Sequence, residues 1–296
     1  GIRHFCLSRG LGDVYKRQFF SCIIFYIHLI PRIYDACFLK SNLNYASIIL
    51  KEIILGKIPM QGKFFKTILL LSGGARASED LYFLDTAAPY LKKRHGFKIK
   101  RIDTLKNRPP QESVFKNSVV IICRTLPKNW LQYLADNRPA KIVYLVDDYF
   151  SGAASSPDLT DKYRQKISWI DSLSRQILSL TDHLVVSNQF LYDYYQKLVD
   201  QSLTSIWLLR PALHASAYSS PRLISKTAKI AYHGTSSHYK DLERIQQPLM
   251  KALSQQDAQF FSLLGRAIPQ PLSSHESVRT IRPFKWPIYK HVRRIF

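Results

Sequence analysis

Residues 66–72 run Lys-Thr-Ile-Leu-Leu-Leu-Ser and then meet Gly73-Gly74. A continuous apolar run of this length ending in glycine predicts a fully buried parallel strand entering a loop. The period then changes. Leu81, Leu84, Ala88 and Leu91 recur at helical spacing, Ser78 with Glu79 and Asp80 predicts a capped start, and Lys92-Lys93-Arg94 before Gly96 predicts the stop. Phe97 to Ile102 reads as a second strand. The alternation continues with strands over Ser118–Cys123, Lys141–Val146 and His183–Ser187, and helices over Asn129–Ala135, Leu159–Leu180 and Gln189–Val199. Alternation of this kind predicts parallel βαβ units in a doubly wound α/β sheet. In such a sheet ligands bind beyond the carboxyl ends of the strands.

A second cycle follows Pro211 and the serine-rich stretch Ser216–Ser225, which reads as an interdomain linker. Its expected elements are a strand at Lys229–Tyr232, a helix at Asp241–Leu253, strands at Phe260–Leu264 and Val278–Ile281, and a basic helix after Trp286-Pro287. Three strands leave a sheet edge and an apolar helix face uncovered, so the second domain is expected to be incomplete. The predicted division is 60–212 for the first domain and 213–296 for the second.

The stretch 1–59 fits neither cycle. Ser8 to Gln18 reads SRGLGDVYKRQ, which resembles the translation of a transposon-based sequencing adaptor and is set aside as a fusion scar would be. Met60 is the first methionine, and native translation is expected to start there, making 1–59 a non-native or poorly ordered leader. The competing reading is an amphipathic helix around Tyr45–Leu55, with Ile48, Ile49, Ile53 and Ile54 on one side and Lys51 and Glu52 opposite.

Composition narrows the function classes. Of 296 residues, 46% are hydrophobic, which supplies a core and excludes wholesale disorder. The apolar run Phe19–Ile30 falls short of the roughly 20 residues of a membrane span. Cys6, Cys22, Cys37 and Cys123 show no C-x-x-C spacing, arguing against a zinc site or a disulfide framework and for a reducing, cytoplasmic setting. The 43 Lys and Arg against 21 Asp and Glu give a net charge of +22, which draws a chain toward nucleic acid, anionic lipid or phosphorylated small molecules without choosing among them.

Three loops at expected strand ends carry candidate chemistry. Gly73-Gly74-Ala-Arg76 lies between a strand and a helix start, where backbone N–H groups favour an anion; without G-x-G-x-x-G it reads equally as a tight turn. Gly234-Thr235-Ser236-Ser-His238-Tyr-Lys240 holds the equivalent place in the second cycle. Its small residues, hydroxyls and Lys240, with Arg266 at a later strand end, suit a diphosphate, though capped turns share this composition. Asp147-Asp148 reads as a carboxylate pair for a metal, or as groups that orient an acceptor or support a cleft.

At Tyr232-His-Gly-Thr-Ser-Ser-His-Tyr-Lys-Asp-Leu242, Phe260-Phe-Ser-Leu-Leu-Gly-Arg266 and Ile281-Arg-Pro-Phe-Lys-Trp-Pro-Ile-Tyr289, the sequence resembles bacterial glycosyltransferases with two Rossmann-like domains, the GT-B type. Thr181–Asn188 and Tyr144–Asp148 are similar to strand ends of their N-terminal domain. The resemblance implies metal-independent sugar transfer from a nucleotide-sugar donor to a cell-envelope polysaccharide or glycolipid acceptor, with no cofactor, at the inner membrane face. It implies that Gly234, Thr235, Ser236, His238, Lys240 and Arg266 face the donor diphosphate, with Gly73 and Gly74 closing the cleft and Asp148 and His233 as catalytic candidates. The family continues past the Trp-Pro-x-x-Tyr region into an acidic donor motif that this chain lacks, so the fragment is expected to be inactive alone. Two other readings stand: a sugar-nucleotide epimerase on the same fold, and a basic protein binding nucleic acid or anionic membrane without catalysis. Nucleic acid is disfavoured, because Lys and Arg are spread along the chain with no RNP-like, helix-turn-helix or zinc motif.

Overall fold

The computed structural model describes residues 49–54, 67–74, 76–210, 227–234, 238–264, 268–282 and 284–292. They fall into two compact units, residues 49–210 and residues 227–292. The fold is α/β, with a six-stranded parallel sheet in the first unit and a three-stranded parallel sheet in the second. The Ser216–Ser225 linker lies outside the described residues.

The first unit opens with a helical segment, α1 (49–54). Then come β1 (Thr67–Ser72), α2 (Arg76–Glu79), a π-turn over Asp80–Leu84, α3 (Ala87–His95), β2 (Lys98–Asp103), α4 (Glu112–Lys116) and β3 (Ser118–Cys123). The unit finishes with α5 (Lys128–Asp136), β4 (Lys141–Val146), α6 (Phe150–Ala154), α7 (Asp161–Leu178), β5 (His183–Val186), α8 (Gln189–Gln196) and β6 (Ser205–Leu208). The strand order is β2-β1-β3-β4-β5-β6, so the connections reverse direction between β1 and β3. In doubly wound sheets that reversal opens a crevice at the carboxyl ends.

Strand periodicity divides the core. Leu69, Leu71, Val120, Ile122, Ile142, Tyr144 and Val146 pack on one face with Phe115, Trp130, Leu173 and Leu191 from the helices. Ile68, Leu70, Val119, Ile121, Val143 and Leu145 pack on the other with Phe83, Ala87 and Leu91. Both faces are dry, which is why β1, β3 and β4 read as unbroken apolar runs rather than alternating ones.

Part of the stretch 1–59 joins this core. Ile49, Leu50, Ile53 and Ile54 of α1 are buried in the second cluster, while Lys51 and Glu52 lie outside it. Burying each such side chain contributes about 1.5–3 kcal/mol. The Lys141 ammonium donates to the Ile53 carbonyl at 2.8 Å, tying α1 to the start of β4. Burial lowers the pKa of Lys141, with Asp182 opposing.

The helix expected from Ser78 to Arg94 is broken into α2, the π-turn and α3, with Asp85 and Thr86 as a turn. Pro89 accounts for the break: in one continuous helix its ring would clash with the carbonyl of Asp85, four residues back. Within α3 it sits in the first turn, where no N–H is needed. Gly96 stops the helix at φ +68°, as its position predicts. Three short elements were not expected: α4, α6 and the strand β6.

The second unit contains β7 (Ala228–His233), α9 (Tyr239–Gln255), β8 (Ala258–Leu263), a 3₁₀ turn at Leu272–Ser274, β9 (Val278–Thr280) and α10 (Trp286–Val292). The order is β7-β8-β9. Leu242, Leu249 and Leu253 of α9 pack on Tyr232, Ala258 and Phe260 of the sheet. A hollow of ≈ 210 Å³ remains between α9 and β7, lined by Ile230, Tyr232, Ile245, Pro248, Leu249 and Phe260 among others. Among the described residues no helix is long and apolar enough to cross a membrane.

Candidate functional site

In the first unit the carboxyl ends of β1, β3 and β4 converge. The register pairs Ser72 with Cys123, and Cys123 with Leu145 two residues before Asp147. Gly73 follows β1 directly. A Cβ there would lie 2.6 Å from the Thr125 carbonyl oxygen, so only glycine lets the loops after β1 and β3 approach this closely. Gly74 has φ +97°, a conformation that side chains rarely adopt, and Leu105 stands beside it.

Two ion-pair networks hold these loops. Glu79, fully buried, accepts from Arg101 Nε at 2.5 Å and from the Ser72 hydroxyl, and Arg101 Nη2 donates to Ser72 Oγ at 2.7 Å. Ser78 Oγ donates to Asp147 Oδ2 at 2.5 Å. The expected cap role of Ser78 is therefore corrected: it lies inside α2 and bridges to β4, while Glu79 points into the fold rather than decorating a helix start. Arg124, immediately after β3, has φ +67° and pairs with both Asp147 (3.4 Å) and Asp148. Its carbonyl accepts from Tyr144 Oη at 2.7 Å, which fixes the strained backbone from below. Ser187 Oγ donates to the Asp147 carbonyl at 3.3 Å.

Three carboxylates (Glu79, Asp147, Asp148) and two guanidiniums (Arg101, Arg124) meet here, leaving one negative charge among the five. That balance suits a ligand bearing hydroxyls better than a phosphate. The helix after Gly74 is a single turn, so its dipole adds little for an anion. Cys123 is buried at the end of β3, and burial, then Asp147 and Glu79, pushes its thiol pKa well up, which leaves it inert. Asp148 keeps a carboxylate 42% exposed and is the member of the cluster most open to solvent-borne groups.

In the second unit Gly234 follows β7, and a Cβ there would sit 3.2 Å from His238 Cβ and 3.4 Å from Leu264 Cδ1. The His238 carbonyl accepts from Tyr232 Oη at 3.1 Å, and its ring Nδ1 lies 3.0 Å from Asp241 Oδ2. Arg244 approaches the same carboxylate at 3.7 Å. Lys240, half-exposed in the first turn of α9, contacts Glu243 Oε2 at 2.8 Å. An exposed pair of this kind is worth only about 0.2–1 kcal/mol. His233 closes β7. Thr235, Ser236 and Arg266 lie outside the described residues.

The cluster was only partly visible beforehand. Gly73, Gly74 and Asp148 meet at one sheet edge, and Gly234, His238 and Lys240 at another. Arg124, Arg101 and Ser78 were missed, as was Ser262, whose buried hydroxyl has no hydrogen-bond partner among the described residues. Arg124 carries a usable signal: it is the first residue after an apolar strand, the position Gly73 and Asp147 also hold. Among the described residues no three His, Cys, Asp or Glu side chains group as a metal would require. No family model and no curated protein matches the chain.

Proposed function

We propose that the chain is a glycosyltransferase of the GT-B type, moving a sugar from a nucleotide-sugar donor to a saccharide or lipid-linked acceptor. One observation carries the reading: each unit is a parallel βα sheet whose first strand ends in a glycine-bearing loop before a helix, Gly73-Gly74 in one and Gly234 in the other. The two loops differ in charge as two substrates would require. The α9 start offers its amides and Lys240 for a diphosphate, whereas the five-residue cluster that includes Asp148, net negative, suits an acceptor hydroxyl. In the transfer the acceptor oxygen bonds to the anomeric carbon as the bond to the diphosphate breaks. Such a transfer needs a base for the hydroxyl proton, a role the Asp148 carboxylate can fill, and cations for the leaving diphosphate, a role Lys240 can fill.

The test is calorimetric titration of the whole chain with nucleoside diphosphates of each base. At least one is expected to bind, and Lys240→Ala to weaken it by about tenfold or more, the scale of a hydrogen bond to a charged group. No binding by any of them, or unchanged affinity in the variant, overturns the reading.

A further inference from the structure

We infer that the β2 edge of the first unit is a docking surface for anionic lipid, independent of the transfer reaction. Residues 92–108 hold eight Lys and Arg against one acid, Asp103. Lys92, Lys93 and Arg94 are exposed in the last turn of α3, Lys98 and Lys100 are exposed on one face of β2, and Lys106 and Arg108 are exposed in the loop beyond. β2 is at the sheet edge among the described residues, and its six residues span about 20 Å. The charges therefore follow the β2 edge along its length, Lys98 and Lys100 on one side of it and Lys92, Lys93 and Arg94 on the side that α3 covers. Arg101 is spent on Glu79, and Lys106 meets Asp103 only at 3.9 Å. Among the described residues no carboxylate pairs with Lys92, Lys93, Arg94, Lys98, Lys100 or Arg108.

Ordinary roles explain parts of this edge. Edge lysines block strand addition, and cations complement a helix C-terminus. Neither accounts for Leu105, 67% exposed between β2 and the basic loop. An exposed leucine among lysines is the pattern of a surface that lies against headgroups and inserts one apolar side chain. Nucleic acid fits less well, since single-strand binders interleave aromatic stacking platforms and the one aromatic between residues 92 and 108, Phe97, is buried. Leu105 also stands beside Gly74, so docking there brings the bilayer to the mouth of the first-unit crevice.

Co-sedimentation of the whole chain with phosphatidylcholine vesicles, with and without phosphatidylserine, tests this. Binding only to the anionic vesicles is expected. Each lysine near such a surface contributes about fivefold, so the triple variant Lys93→Gln, Lys98→Gln, Lys100→Gln should lose on the order of a hundredfold. The matched triple Lys162→Gln, Lys166→Gln, Lys197→Gln removes the same charge from exposed sites elsewhere and should retain binding. Leu105→Ser should weaken vesicle binding but not the binding of a single-stranded oligonucleotide. Equal loss in both triples, no binding to anionic vesicles, or tighter binding of the oligonucleotide with no effect of Leu105→Ser overturns the inference. Nucleoside diphosphate affinity should be unchanged in the first triple, so failure here and failure of the proposed reaction are separate results.

Discussion

The two units use the same βα grammar but tie their strand ends in different ways. In the first, the ends are held by pairs far apart in sequence: Arg101 with Glu79, Arg124 with Asp147, and Ser78 with Asp147. Among the described residues of the second, the start of α9 carries pairs three residues apart: His238 with Asp241, Lys240 with Glu243 and Arg244 with Asp241. A six-stranded sheet covered on both faces can bury a carboxylate completely, as it buries Glu79, and must then supply its partner from another strand. The three-stranded unit also buries a carboxylate, Asp241, but its partners His238 and Arg244 lie one turn away in sequence, while Lys240 and Glu243 stay near water. The first crevice is thus tied across the sheet, whereas the Lys240–Glu243 pair of the second is a surface contact.

The sharpest test of that contrast is to remove one cation from each. Arg101→Met leaves the Glu79 carboxylate buried without its guanidinium and is expected to cost about 3 kcal/mol, the low end for breaking a buried pair because Arg101 is itself 29% exposed. Lys240→Met breaks a surface pair and is expected to cost under about 0.5 kcal/mol. Urea unfolding of both variants measures the difference. Equal losses would mean that the first network is no more integral than the second.

A smaller effect separates the two glycine loops. In Gly73→Ala the new methyl meets a backbone oxygen at 2.6 Å, which cannot rotate away, so the β1 or β3 loop must move at a cost of about 1–3 kcal/mol. In Gly234→Ala the nearest atom is a side-chain carbon at 3.2 Å, and a shift of a few tenths of an ångström absorbs it. The expected cost is under about 1 kcal/mol. Thermal unfolding of the pair tests the ranking, and a larger loss for Gly234→Ala would reverse which loop is called tight.

The same distinction explains how much could be read from the sequence. β1, β3, β4 and β5 stand out because strands dry on both faces carry unbroken apolar runs, and α7 and α9 because their apolar stripes run for about three turns. The lysine-rich β2 is recognisable only from its place after Gly96. β6, Ser-Ile-Trp-Leu, is too short to carry a period. At the site, Gly73 and Asp148 could be picked out because strand ends are where doubly wound folds place their chemistry. The Arg124 and Glu79 pairings could not, since nothing local in the sequence marks a partner 22 or more residues away. The helix expected from Ser78 to Arg94 failed for a reason present in the sequence, Pro89, whose clash reaches back to Asp85.

The smallest expected effect is a pH dependence in the first unit. His183 opens β5, and burial, then Lys141, holds its pKa below the ordinary value, with Asp182 opposing. The Trp207 indole N–H donates to His183 Nδ1 at 3.4 Å, an arrangement that needs Nδ1 unprotonated. The fold therefore favours neutral imidazole, and the unfolded chain binds the proton more readily. It follows that the stability due to this group is complete above about pH 6.5 and is lost as pH falls from there through the depressed folded value. Trp130, Trp169 and Trp207 report on the first unit and Trp286 on the second, so each tryptophan can be retained alone and urea midpoints compared from about pH 7.5 to about pH 5. The first-unit midpoint should fall over that range and flatten in His183→Gln, whereas an unchanged slope in that variant would assign the acid sensitivity to another group.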